Sequence, residues 1–216
     1  MIKGILFDMD GVLFDTERIS TESWLKTAEA MNIDLPISFI NSYKGLTIKE
    51  SRKLYAQRFG SDFDYDEVRA YKNAIVQEEI EKNGLPMKKG LLELLEYAKK
   101  NEIRMAVATS TGKVKAESYL QQSQIYDYFQ AAVYGDTLEV SKPEPDIYLE
   151  AARRIGLRAE DCFVIEDSPM GIQSGYRAGA RVIHIPDQIK VLQDVLDKTY
   201  AVCADLSEVI DLIKNS

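Results

Sequence analysis

Short apolar runs alternate with helical patterns along most of this chain. Residues 2–8, 103–109, 131–134, 162–165 and 181–185 are runs with little polar alternation, as expected of strands covered on both faces in a parallel sheet. Residues 200–203 form a weaker sixth run. Between these runs apolar positions recur at helical spacing. Leu91, Leu94, Leu95 and Ala98 do so within 90–100, and further helices are predicted over 113–121, 146–155, 169–178 and 206–213. Strands alternating with helices imply right-handed crossovers and an α/β fold built on a doubly wound parallel sheet.

One stretch breaks the alternation. Residues 15–83 hold no strand pattern, and three or four helices follow one another there. Thr47 with Glu50 matches a capping box, and that helix runs to Phe59 with Gly60 as its stop. Another helix starts after Asp64 and runs toward Asn83 and Gly84. A helical block inserted after the first strand reads as a second domain. The expected division is an α/β core of 1–14 with 84–216 and an all-helical domain of 15–83.

In a doubly wound sheet the strands' C-terminal ends share one edge, where ligands bind. The first strand ends in Asp8-Met9-Asp10-Gly11 and the second in Thr109-Ser110. The third is followed by Asp136 and then Ser141-Lys142-Pro143, and the fourth ends in Glu166-Asp167-Ser168. Clustered carboxylates repel unless a cation sits among them. Oxygen donors without His or Cys suit Mg²⁺, which pairs with a phosphate oxygen. Thr109, Ser110 and Lys142 supply the hydroxyls and fixed positive charge that a phosphoryl group requires. Asp8 is placed to act as nucleophile through an aspartyl-phosphate, and Asp10 as general acid and then base. Gly11 lets the backbone approach a ligand closely. Singly, an Asp-Gly turn or a Lys-Pro loop is ordinary. Four successive strands closed by groups suited to one reaction are not.

Composition narrows the class. The 216 residues carry 27 Lys and Arg against 35 Asp and Glu, a net charge of −8. That balance disfavours nucleic acid and anionic membrane as partners, and no run approaches the roughly 18 apolar residues of a membrane span. Cys162 and Cys203 sit in apolar segments without a CxxC pair, so a reduced, cytoplasmic setting and inert thiols are expected. A monomer is expected as well. His184, inside the fifth strand, reads as a packed core residue. Ser168 and Pro169 read as a helix start, Gly171 and Gly175 as close packing of that helix on the sheet, and Gly179 as its stop. Trp24, Leu25, Ala28 and Met31 form an apolar helix stripe, either the helical domain's own core or, for Trp24, a wall of the cleft. Glu17 either reaches the cleft or favours a helix N-terminus.

Taken together, Asp8-Met9-Asp10-Gly11-Val12, Thr109, Ser141-Lys142-Pro143-Glu144-Pro145 and Glu166-Asp167-Ser168-Pro169-x-Gly171-Ile172 resemble the four motifs of the haloacid dehalogenase superfamily. The resemblance spans the chain, and the helical block falls where that family carries its cap. It is nearest to the cap-bearing phosphatases and β-phosphoglucomutases. The resemblance implies Asp8 as nucleophile, Asp10 as acid and base whose backbone carbonyl also ligates Mg²⁺, and Asp167 completing the metal site. Glu166 is then a ligand or a group just outside the ligand shell, with Thr109 and Lys142 holding the phosphoryl group. Dehalogenases lack an acid at the position of Asp10, so halide displacement fits poorly.

Lys44-Gly45-Leu46 and Lys72-Asn73 resemble cap segments that meet substrate in the mutases, although both lysines also suit an ordinary solvated surface. Where the mutases carry a histidine this chain has Ser20, and where they carry a phosphate-binding arginine it has Ile48. These departures favour a Mg²⁺-dependent phosphatase of small phosphorylated metabolites, sugar phosphates foremost. A β-phosphoglucomutase-type isomerase is the second reading. A sugar-phosphate-binding module without catalysis is the third, and an intact Asp8/Asp10 pair speaks against it.

Overall fold

The computed structural model describes residues 2–43 and 48–215. Lys44, Gly45, Leu46 and Thr47 lie outside the described residues, so the capping box and the first cap segment are not described further. In chain order the elements are β1 (Gly4–Phe7), α1 (Thr16–Ala30), α2 (Ile37–Ser42), α3 (Ile48–Phe59), α4 (Tyr65–Asn83), α5 (Leu91–Lys100), β2 (Arg104–Thr109) and α6 (Lys113–Gln122). There follow β3 (Ala131–Tyr134), α7 (Asp146–Arg154), β4 (Cys162–Glu166), α8 (Pro169–Arg177), β5 (Arg181–His184), α9 (Gln193–Leu196), β6 (Ala201–Val202) and α10 (Val209–Lys214).

The strands form one parallel six-stranded sheet in the order β3-β2-β1-β4-β5-β6. The order reverses direction at β1, which pairs with β2 on one side and β4 on the other. That is the doubly wound arrangement, and the switch point falls on the strand that ends in Asp8. All four residues of β1 and all five of β4 are buried, which accounts for their apolar runs. Helix α8 packs tightly against β4 and β5 because a Cβ on Gly175 would stand 2.9 Å from both Val164 and Val182. β6 is shorter than its apolar run, and α10 is preceded by a 3-10 turn at Leu206–Glu208. Helix α9 has no counterpart in the sequence pattern.

The chain divides into two compact units. One runs to Asp15 and resumes at Leu85, and the other is Thr16–Gly84. The second contains helices α1 to α4 and a core of its own, in which Trp24, Tyr43, Tyr55 and Tyr65 gather with Leu35, Ile40 and Val68. The Tyr55 hydroxyl donates to that of Tyr43 at 2.9 Å, so the most buried phenol of the cluster keeps a partner. Trp24 therefore belongs to this core. Leu25 does not: it stands on the exposed side of α1, since an apolar stripe that wide exceeds the face the neighbouring helices cover. Asp64 caps α4 by accepting from Glu67 N at 2.9 Å, and Gly84 closes it. No helix among the described residues is long and apolar enough to cross a membrane.

Candidate active site

The site is assembled where β1, β2 and β4 end side by side. Asp8 N donates to Ile165 O at 3.0 Å, which prolongs the β1–β4 ladder by one residue and fixes Asp8 at the sheet edge. The chain then turns through Gly11, whose N donates to Phe14 O at 2.9 Å. Gly11 has φ +82°, and a Cβ there would lie 2.4 Å from an Asp167 carboxylate oxygen. The turn thus needs glycine twice, for its left-handed backbone and for the close approach of Asp167. The intimate contact predicted for Gly11 is with a carboxylate of the site.

Asp8, Glu166 and Asp167 are all buried, and one carboxylate oxygen of each lies within 4.8 Å of the others. Lys142 enters this group from the loop after β3. Its Nζ donates to Asp8 Oδ1 at 2.5 Å and to Glu166 Oε1 at 2.6 Å, and its side chain is 7% exposed. Glu166 is the most heavily engaged member. Oε1 also accepts from the Tyr148 hydroxyl at 2.7 Å. Oε2 accepts from Asp167 N at 3.0 Å, Ser168 N at 3.1 Å and Ser168 Oγ at 3.0 Å. With about four lone-pair directions on a carboxylate, those donors leave Glu166 none to spare.

Gly171 explains how that carboxylate fits. A Cβ at 171 would sit 1.7 Å from Glu166 Oε1. Close packing on the sheet, expected for Gly171 and Gly175 alike, holds for Gly175 alone; Gly171 makes room for a site residue. Ser168 caps α8 by accepting from Gly171 N at 3.1 Å, and Gly179 adopts φ +81° at the helix end.

Electrostatics follow from the burial. Loss of solvent, opposed by Lys142, pushes the Asp8 carboxyl up to about 7, with Glu166 and Asp10 adding to the rise. Burial and then the Glu166 and Asp8 charges hold Asp167 well above the carboxylate range. Burial would raise Glu166 too, but Lys142 and the other donors outweigh it and leave this carboxyl lowered. Burial acts to lower Lys142, while Asp8 and Glu166 override it and keep the ammonium charged. One lysine cannot balance three carboxylates. Ionising Asp8 and Asp167 together calls for a further positive charge, and ligands that are oxygen atoms alone suit a hard divalent cation such as Mg²⁺.

The other expected residues separate into those that join and those that do not. Thr109 is buried at the end of β2, and its hydroxyl accepts from Thr111 N at 3.0 Å. The Thr111 hydroxyl in turn donates to Asp10 Oδ2 at 2.6 Å. Asp10 itself is not part of the acidic cluster. Ser110 is exposed, and its carbonyl lies against Gly135. Asp136 instead caps α6, accepting from Lys113 N at 3.1 and 3.0 Å. Lys72 lies in the helical unit with its Nζ 5.8 Å from the Trp24 ring centroid. His184 is buried, its Nδ1 3.1 Å from Glu166 O, and burial lowers its pKa, as suits a core histidine.

Sequence reasoning missed Thr111, Tyr148 and Asp187. The first is signalled only by the Thr-Ser-Thr run that begins at the last residue of β2, and the second only by its place on the sheet-facing side of α7. Asp187, beyond β5, pairs with Lys88 at 2.8 Å under 4% side-chain exposure.

Residues 5–185 match the sequence profile described as haloacid dehalogenase-like hydrolase. The chain belongs to the haloacid dehalogenase-like hydrolase family. It is an enzyme of that family's phosphoric monoester hydrolase kind. A phosphorylated carbohydrates phosphatase of Thermotoga maritima is 29% identical over 185 residues, covering 85% of this chain and 84% of that protein. A β-phosphoglucomutase of Bacillus subtilis is 32% identical over 187 residues, covering 82% and 80%. In three dimensions, the crystal structure of a candidate β-phosphoglucomutase from Thermotoga maritima superposes with a TM-score of 0.83 at 24% identity over 99% of each chain. That likeness is one of fold and spans the whole chain, the helical unit included.

Proposed function

We propose that this enzyme hydrolyses small phosphorylated metabolites, sugar phosphates foremost, through a phosphoryl group carried on Asp8. The observation that carries the reading is the Asp8 carboxylate held against the Lys142 ammonium at 2.5 Å, at the switch point of the sheet. An Asp8 oxygen forms a bond to phosphorus as the ester P–O bond breaks, and Asp10 gives its proton to the departing alcohol. Asp10 then takes a proton from the water that attacks the same phosphorus. The Asp8–phosphorus bond breaks, and inorganic phosphate leaves with Asp8 restored.

Thr111 supports this role by anchoring one Asp10 oxygen at 2.6 Å. Thr109 and Lys142 are assigned to the phosphoryl oxygens, with Ser110 at the rim. Asp8, Asp167 and the Asp10 carbonyl would hold Mg²⁺. Glu166, whose lone pairs are taken, holds Lys142 rather than the cation. When bound, the cation neutralises charge on the phosphoryl oxygens. The sugar-phosphate class rests on the Thermotoga phosphatase, and the β-phosphoglucomutase relative keeps isomerisation as a second reading.

The test is a panel of phosphate esters that includes β-glucose 1-phosphate, with Mg²⁺, with and without glucose 1,6-bisphosphate. Release of free phosphate that vanishes in Asp8→Asn is the expected result. Glucose 6-phosphate formed without phosphate release overturns it in favour of the isomerase, and no turnover of any ester favours a binding module.

A further inference from the structure

Tyr148 is fully buried and lies within reach of the site, yet no step above uses it. Its hydroxyl donates to Glu166 Oε1 at 2.7 Å, the same oxygen that receives Lys142 Nζ at 2.6 Å. Its ring also lies beneath the ammonium, 4.9 Å from Nζ to the centroid. Burial first, then the Glu166 and Asp8 charges, hold the phenol well above its ordinary value, so it stays a donor at every working pH.

We infer that Tyr148 is a positioning residue for Lys142: by filling one lone pair of Glu166 Oε1 and covering one side of the ammonium, it leaves the lysine a proton for a phosphoryl oxygen. An ammonium has three protons. One goes to Asp8 Oδ1 and one to Glu166 Oε1, which leaves the third, and the Tyr148 ring packs beside the ammonium without taking a lone-pair acceptor's place. Oε2 of Glu166 is already filled by Asp167 N, Ser168 N and Ser168 Oγ. The second lone pair of Oε1 is therefore the one place where Glu166 could compete for more of the lysine, and the Tyr148 hydroxyl occupies it. Removing that hydroxyl frees the lone pair and concentrates the carboxylate charge on Lys142. The ammonium is then drawn toward Glu166 and away from the phosphoryl position.

This inference rests on the phosphoryl-transfer reading, and its effect should be largest where charge on the phosphoryl oxygens is greatest. The experiment titrates the full chain, with Mg²⁺ present, with orthovanadate as the transition-state-like oxyanion and with inorganic phosphate as the ground-state one. Wild type, Tyr148→Phe and Tyr148→Met are compared, and thermal melts run alongside.

Tyr148→Phe should weaken orthovanadate about tenfold, as loss of one charge-assisted hydrogen bond predicts, and phosphate less than about twofold. With an active ester, kcat should fall about tenfold while KM stays within about twofold. Tyr148→Met, lacking the ring as well, should move further in the same direction, and either variant that folds decides the matter. An unchanged preference for orthovanadate over phosphate in a folded variant overturns the inference, whatever the melting temperature does. Wild type that turns over no ester removes the proposed function while the anion comparison still reads Lys142. Wild type that binds neither anion overturns both.

Discussion

The Thr111 hydroxyl donates to Asp10 Oδ2 at 2.6 Å, and Thr111 N donates back to the Thr109 hydroxyl at 3.0 Å. These two bonds tie the end of β2 to the turn after β1, so the proposed acid and the proposed phosphoryl-binding hydroxyl share one residue as their link. Thr111→Val keeps the shape and removes only the donor. It should lower kcat about tenfold, the worth of one hydrogen bond to a charged group, with KM for the ester nearly unchanged. Steady-state kinetics on the preferred ester decide this. A fall confined to KM would mean that Thr111 serves binding and not Asp10.

Gly171 and Gly175 lie on one face of α8, but their neighbours differ in kind. A methyl group at 171 would meet the Glu166 carboxylate at 1.7 Å, and one at 175 would meet valine branches at 2.9 Å. Gly171→Ala must displace Glu166, whose donors come from the backbone of 167 and 168 as well as from Lys142 and Tyr148. Activity should drop at least about a hundredfold, alongside a stability loss above about 2 kcal/mol. Gly175→Ala should cost about 1–3 kcal/mol by overpacking the helix on the sheet, with kcat per folded molecule retained. Urea melts together with initial rates separate the two variants. Equal loss of activity in both would remove the distinction drawn between them.

Asp8, Thr109, Glu166 and Asp167 are legible in the sequence because each closes an apolar run, and parallel strands bring such ends to one edge. Lys142 is reached through the Lys-Pro-Glu-Pro pattern, since the loop carrying it follows β3 without an apolar signal of its own. Tyr148 is not legible: a tyrosine among Ile147, Ala151 and Ala152 reads as core, and only the packing of α7 on the sheet brings its hydroxyl to Glu166. Gly171 shows the same limit. Helical spacing gives the face a residue shares, not which atom waits opposite. Leu25 fails for the converse reason, because periodicity cannot say how wide a face the neighbouring helices will cover. Asp136 follows a strand as the site residues do, yet the free amide at the start of α6 claims it.

Cys162 and Cys203 are both buried, and burial pushes their thiols up to about 12 and about 11. The thiolate is the reactive form, and a raised pKa means that it is scarce below that range. At pH 8 neither cysteine should react with iodoacetamide in the folded protein over an hour, while both should react fully in denaturant. Intact-mass spectrometry counts the adducts. Rapid labelling under native conditions would show that one of the two segments opens readily.

Asp167 and Asp8 carry the charge that a cation should relieve. An acid whose pKa is raised by the fold destabilises it once pH exceeds the ordinary carboxylate value, because ionisation then costs more in the folded state than in the unfolded one. At neutral pH without metal, Asp167→Asn removes that penalty, and its melting temperature should match or exceed that of wild type. Adding Mg²⁺ reverses the order. A cation at about ten times its dissociation constant adds roughly 1.4 kcal/mol, a few degrees for a chain of this size. Wild type should gain that increment and lose it again on adding EDTA, while Asp167→Asn should gain almost none. Melts at pH 7.5 over a Mg²⁺ series read both effects from one data set. An equal Mg²⁺ increment in the two proteins would mean that the cation is held without Asp167, which would undo the ligand assignment while leaving the role of Asp8 to the kinetic test.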